Sequence, residues 1–130
     1  MRKLGHVVLC CVFALATSWI LGCGTAARLE SISISPAAAN GRTQFVATGT
    51  YTDGKTVSPL TVLWSNSDPW VSNNISPPSI TIDATGNASC NLAGSKNTVV
   101  ATAPIDPSLP LSQMNPKTPQ VRGTAVLNCP

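Results

Sequence analysis

The chain has 130 residues and a formal charge of +3, with only 10% of its residues charged. That length leaves room for one domain, and so sparse a charge gives no basic patch of the kind that binds nucleic acid. The single histidine, His6, lies near the N-terminus. The rest of the chain therefore lacks both the commonest general base and the commonest transition-metal ligand.

Arg2 and Lys3 open the chain as a short positive region. Residues 7–21, VVLCCVFALATSWIL, follow as an apolar run that is short for a bilayer-spanning helix. A basic start, an apolar middle and a small-residue exit describe a cleaved signal helix. The competing reading is an uncleaved membrane anchor. The next residues favour cleavage, because Ile20-Leu21-Gly22-Cys23 resembles a bacterial lipobox. This divides the chain into a signal peptide (1–22), a lipidated tether (23–28) and one domain (29–130). Cys23 becomes the lipid-bearing first residue of the mature protein, so a membrane is the first expected partner. Each buried CH₂ contributes roughly 0.8 kcal/mol, and several acyl chains together hold a protein on a bilayer nearly permanently. Gly24, rather than Asp, follows the cysteine, which resembles the default for outer-membrane delivery in enterobacteria.

Removing the leader also changes the charge. Arg28, Arg42, Lys55, Lys96, Lys117 and Arg122 face Glu30, Asp53, Asp68, Asp83 and Asp106, six against five. Cys10 and Cys11 go with the leader, which leaves Cys90 and Cys129 besides the anchor. Two cysteines in an exported domain most often form a disulfide. A metal pair is disfavoured, because neither His nor a further Cys stands at ligand spacing.

The domain reads as strands in chain order. Residues 29–36, LESISISP, alternate Ile32 and Ile34 with serines and end at Pro36, as a first strand at a sheet edge. Asn40-Gly41 marks a turn. In 43–52, TQFVATGTYT, the residues Phe45, Ala47, Gly49 and Tyr51 share one face, which the period of 2 assigns to the core. Asp53-Gly54 is a hairpin turn. Residues 60–65 carry Val62 and Trp64 in phase, and Trp64 is the expected central core aromatic. Residues 66–69 form a turn. Residues 79–83 bring Ile80 and Ile82 inward, and a turn over 84–87 leads to 88–94, where Ala88, Cys90 and Leu92 share a face. Residues 97–103 place Val99 and Ala101 in phase. Five prolines then break the pattern over 104–120, a Pro-rich loop. The last strand, 121–129, has Ala125, Leu127 and Cys129 on one face. Seven short strands with closely spaced turns predict an all-β fold, a single antiparallel β-sandwich.

These residues also carry a resemblance. QFVATGTYTDG (44–54), VLWSNSDPWV (62–71), ITIDATGNASCNLAG (80–94) and NTVVATA (97–103) resemble the bacterial immunoglobulin-like domain, group 2, a module repeated in intimin- and invasin-type adhesins. The correspondence runs through F-x-A-x-G-x-Y-x-D-G (Phe45 to Gly54), W-S-x-S-D (Trp64 to Asp68) and D-x-x-G (Asp83 to Gly86), and covers about residues 29–129. It implies an immunoglobulin-like sandwich of about seven strands, and roles in adhesion, carbohydrate or surface attachment, and spacing. It implies no shared catalytic site and no cofactor. Tandem modules are usual in the family, whereas here one module follows the lipobox, with a longer Pro-rich loop before its last strand.

Enzymatic chemistry is disfavoured by inventory. The G-x-S-x-G elbow is missing and the acids are scattered singly, with no visible general acid/base couple. Asp53 and Asp83 stand beside turn glycines, where Asp has a local structural role, and no D-x-D-x-D-G spacing points to calcium. The candidate binding surface is Trp70, Asn73 and Asn74 together with the 104–120 loop. Trp70 could stack on a sugar or anchor a protein ligand; its alternative role is to plug one end of the sandwich. Asn74-Ile75-Ser76 and Asn87-Ala88-Ser89 match glycosylation sequons, at which a bacterial lipoprotein is not normally modified. The expectation is thus a non-catalytic binding, adhesion or structural module of the bacterial cell envelope, with a glycan or protein ligand. The rival is an accessory subunit of a periplasmic or outer-membrane assembly.

Overall fold

The structure, a computed structural model, describes residues 24–66 and 78–130. Its strands are β1 (Leu29–Ser35), β2 (Ala38–Asn40), β3 (Thr43–Gln44), β4 (Val46–Tyr51), β5 (Thr56–Val57), β6 (Leu63–Ser65), β7 (Ile80–Ile82), β8 (Asn87–Cys90), β9 (Lys96–Pro104) and β10 (Gln120–Asn128). One short 3-10 turn, Leu111–Gln113, sits in the Pro-rich loop. The fold is an all-β sandwich, as the alternating pattern predicts.

The strands form three sheets, ordered β1-β4-β5, β3-β8-β7 and β2-β10-β9-β6. The first two meet in the run 43–51. Its first two residues pair with β8, Phe45 donates its N–H to the Gly86 carbonyl at 2.8 Å, and its remainder pairs with β1 and β5. Phe45, Ala47 and Gly49 are buried on the inward face while Val46 is exposed, so the period-2 reading of this run holds. β1 stands at a sheet edge, also as expected.

The third sheet supplies the opposing layer. β9 is its most buried strand, covered on both faces from Val99 to Pro104. Among the described residues the hydroxyl of Thr102, on this strand, has no hydrogen-bond partner. The layers approach closely at Gly123 of β10, where a Cβ would lie 2.6 Å from the Ile32 carbonyl oxygen. That contact is with backbone, so no side chain can be accommodated there without a shift of the strands.

Five expectations need correction. The sandwich is not wholly antiparallel: β2 pairs parallel to β10, Val126 opposite Ala38 to Asn128 opposite Asn40. The chain leaves β1 at the Ser35–Pro36 bond, which is cis, and continues in the same direction on the other layer. The partner of β4 in the Asp53-Gly54 hairpin is the two-residue β5, and after the cis Ser58–Pro59 bond the chain crosses layers. The strand expected over 60–65 is correspondingly cut to Leu63–Ser65 and pairs with β9. The strand expected over 88–94 ends at Cys90, because Asn91 and Leu92 both donate their N–H to the Ser79 carbonyl in a turn. Leu92 is therefore 57% exposed instead of sharing the buried face. Finally, Trp64 is not the central aromatic. Phe45 is, at 1% exposure. Trp64 is half-buried, with its ring against Gly86, where a Cβ would lie 2.9 Å from the indole.

Cys90 and Cys129 form the expected disulfide, with Cα atoms 5.6 Å apart. It joins the end of β8 in one layer to the residue after β10 in the other. The buried cluster it adjoins is poor in bulk, with alanine at 47, 88, 101, 103 and 125. A small core of this kind gains little from area burial, so constraint of the unfolded chain matters more.

Two stability measurements follow from this packing. Phe45→Ala should destabilise by about 3–5 kcal/mol in denaturant unfolding, and by more than Trp64→Ala, whose ring is already partly in water. The reverse order would mean that the core is centred elsewhere. For Cys90→Ser, closure of a loop between residues 39 apart predicts a loss of about 4 kcal/mol in the chain-entropy model. Identical melting of the oxidised and reduced wild-type protein would show that the bridge contributes nothing.

Candidate functional site

Strand direction sorts the surface into two ends. β1 and β10 both start at the end where the domain begins. There the Leu29 N–H donates to the Ile105 carbonyl at 2.9 Å, and the Ile105 N–H donates to the Pro119 carbonyl at 3.0 Å. The same end holds the Asp53-Gly54 turn, because Arg28 and Thr52 exchange bonds: the Arg28 N–H donates to the Thr52 hydroxyl and the Thr52 N–H to the Arg28 carbonyl. The opposite end carries the disulfide, the 91–95 turn and the chain terminus, with the Gly94 N–H donating to the Cys129 carbonyl and the Cys129 N–H to the Ser95 carbonyl.

The 104–120 segment belongs to the first end and is folded, despite its prolines. Asp106 closes one turn, accepting the Ser108 hydroxyl at 2.7 Å and the Ser108 N–H at 2.9 Å. Asn115 closes another, accepting the Lys117 N–H at 2.9 Å, while the Asn115 N–H donates to the Thr118 hydroxyl. Met114 is buried beneath. Short polar side chains thus replace the ladder bonds that proline cannot make.

Among the concavities of the described surface, three bear on the candidate site. The first, about 360 Å³, has Phe45, Ala47, Leu60, Val62 and Trp64 in its walls and Gln44 and Thr85 at its rim. Gln44 is held there by its amide, which donates to the Thr85 carbonyl at 2.7 Å. The second, about 310 Å³, lies at the domain's beginning, with Leu29, Tyr51, Val57, Leu60, Leu109 and Leu111 among its lining residues and no charged side chain. The third, about 300 Å³, adjoins it across Leu109 and is bounded by Arg28 and Asp106. Pro59, Leu60 and Thr61 form the ridge between the first two. In the sequence Leu60 reads only as part of a strand, and its place directly after Ser58-Pro59 is the local signal that it stands apart from one.

The acids serve their own turns. The Asp83 carboxylate accepts the Thr85 hydroxyl at 2.6 Å, the Asn87 N–H at 3.0 Å and the Thr85 N–H at 2.9 Å. The Thr85 hydroxyl and then the Asn87 N–H hold its carboxyl below the usual carboxylate range, against a small opposing effect of burial. Asp106 is lowered in the same way, first by the Ser108 hydroxyl, then by the Ser108 N–H, with the Arg28 charge adding to it. Asp53 accepts the Lys55 N–H and forms an exposed ion pair with its ammonium at 3.6 Å, worth little in water. Among the described residues, no three of His, Cys, Asp and Glu are grouped so as to hold a metal ion. Nor is any described helix long and apolar enough to cross a membrane.

Of the residues singled out by the sequence, Cys90 and Cys129 are brought together. Cys23, Trp70, Asn73 and Asn74 lie outside the described residues. Compared with protein-family models and with curated proteins, the chain matches none.

The turn at Asp83 gives a pH test. A carboxyl that titrates lower in the folded than in the unfolded chain stabilises the fold fully above the ordinary carboxylate range. That contribution is lost as the pH falls through the folded-state value. Thermal melts should therefore show stability falling as the pH drops through the acid range, and falling less in Asp83→Asn. An unchanged acid-side slope in the variant would show that Asp83 is not coupled to folding.

Proposed function

We propose that the protein is a cell-envelope lipoprotein, anchored through lipid on Cys23, whose single immunoglobulin-like domain is a non-catalytic binding, adhesion or structural module. The observation that carries this reading is the Cys90–Cys129 bridge between the two layers. Disulfides persist in oxidising compartments, and a chain that opens with Arg2, Lys3, an apolar run and Ile20-Leu21-Gly22-Cys23 is addressed to one. The non-catalytic part is supported by the use of the acids: Asp53, Asp83 and Asp106 each accept hydrogen bonds from their own turns.

The outer membrane is the proposed location, from Gly24 after the lipidated cysteine. The resemblance over Phe45 to Gly54 and Trp64 to Asp68 supports kinship with bacterial immunoglobulin-like domains. A glycan or protein at the cell envelope is the proposed ligand, with Trp70, Asn73 and Asn74 as its contact residues. The alternative, an accessory subunit of an envelope assembly, shares the anchor and differs in which side of the outer membrane the domain faces.

The anchor is tested by Cys23→Ala in a bacterial host that processes lipoproteins. The wild-type chain should sediment with membranes and yield an acylated N-terminal peptide by mass spectrometry. The variant should lose the acyl groups and appear in the soluble fraction. A variant that still sediments would overturn lipid anchoring. Protease treatment of intact cells then separates the two roles: cleavage supports attachment at the surface, whereas protection until the outer membrane is opened supports the accessory subunit.

A further inference from the structure

The domain's beginning and a groove lined mainly by apolar side chains occupy the same end of the sandwich. Five residues, 24–28, separate Cys23 from β1. Fully extended, the chain from Cys23 to Leu29 spans at most about 20 Å. Leu29 itself lines the 310 Å³ groove. Any lipid on Cys23 therefore keeps that groove within a short reach of the bilayer surface.

The groove's rim has the character such a surface requires. Val57 is 43% exposed, and Pro59, Pro107 and Pro110 are exposed beside half-buried Leu109 and Leu111. These side chains come from two separate segments, 57–59 and 107–111, so the patch is contiguous only in the folded domain. Around it Arg28 stands near Asp106, Lys55 pairs with Asp53, and Lys117 is exposed on the same loop. The groove's own lining carries no charged side chain, so its contribution to docking is apolar. The opposite end, about 26 Å away along the nine residues of β10, exposes Asn40, Arg42 and Asn91 together with Pro36, Ala37, Ala38, Leu92 and Ala93, and Leu92 is the largest exposed apolar side chain there.

We infer that the surface formed by Val57, Pro59, Pro107, Leu109, Pro110 and Leu111 docks on the lipid bilayer that holds the Cys23 anchor, so that the disulfide-bearing end points away from the membrane. This rests on the lipid-anchor reading of Cys23. The contact seats prolines and leucines at the level where headgroups meet acyl chains, where an apolar body beside polar backbone is well placed. It adds orientation rather than retention, since the acyl chains already hold the protein.

The test uses the full chain, processed and lipidated in a bacterial host, with p-benzoylphenylalanine placed at position 109 or at position 92. The purified lipidated proteins are reconstituted into phosphatidylethanolamine/phosphatidylglycerol vesicles, irradiated, and digested for mass spectrometry. Phospholipid adducts are expected at 109, undiminished by high salt, with none above the unirradiated background at 92. Equal adducts at both positions, or none at 109, would overturn the docking, as would crosslinking of 109 to a second copy of the chain. A second protein carries about twenty Gly/Ser residues inserted after Gly24, a flexible spacer that removes enforced proximity. Adducts that persist at 109 support intrinsic docking; their loss overturns it. Failure of the processed chain to float with vesicles at all would instead refute the anchor, and the inference with it.

Discussion

The architecture depends on one shared strand. Residues 43–51 belong to two sheets, and the exchange of partners falls at Phe45, whose N–H is taken by the Gly86 carbonyl instead of a ladder partner. This exchange requires that the 83–87 turn press directly on the strand. Gly86 meets the demand twice: its φ is +86°, and a Cβ there would lie 2.5 Å from the Phe45 carbonyl oxygen. Glycine is the residue that adopts that backbone conformation without strain and leaves that space. Asp83 then fixes the turn from the other side by accepting the N–H groups of Thr85 and Asn87. Phe45 is the largest fully buried side chain because the strand carrying it is held on both edges.

The rest of the core follows from how close the layers come. Gly123 against the Ile32 backbone brings β10 near β1, and alanines at 101, 103 and 125 keep the neighbouring positions thin. Close layers exclude large side chains, so each residue buries little apolar area. A disulfide between the layers offsets this through the unfolded chain rather than through added contact. It also sits where the need is greatest, at the end far from the Asp53-Gly54 turn and the folded Pro-rich loop.

Much of the fold was legible because it was written locally. Alternation at Phe45, Ala47 and Gly49, and again at Ala125 and Leu127, gave strands and their inward faces; Asp53-Gly54 and Asp83 to Gly86 gave the turns. What escaped depends on partners distant in sequence. Nothing within 29–40 announces that the chain changes layers at Pro36 and pairs parallel to β10. Leu92 keeps the strand phase of Cys90, yet its N–H is claimed by the Ser79 carbonyl. Trp64 is in phase with Val62, yet its ring lies half-buried over Gly86 while Phe45 takes the centre among the alanines. The surface was harder still. The groove joins Val57 to Leu109 and Leu111, more than fifty positions apart, and no periodicity couples them.

The two ends of the sandwich differ in a way that bears on any role at a membrane. At the beginning of the domain, prolines do two things at once. They deny N–H donors to a ladder, which forces Asp106 and Asn115 to hold the loop together with their side chains. They also present apolar rings without a hydrogen-bonding backbone, beside Val57 and Leu109. A loop built this way is held by its own turns and shows an apolar face, a combination that a flexible polar connection does not give. At the other end the backbone groups are tied by the 91–95 turn and the covalent bridge, and the exposed side chains mix Asn40, Arg42 and Asn91 with Pro36, Ala37 and Leu92. Under the proposed anchoring, the tether starts at the end with the proline-rich loop, so a ligand in solution meets the disulfide-bearing end first. Recognition there would fall to side chains displayed on a covalently fixed platform, and retention to the lipid, with neither task constraining the residues that perform the other.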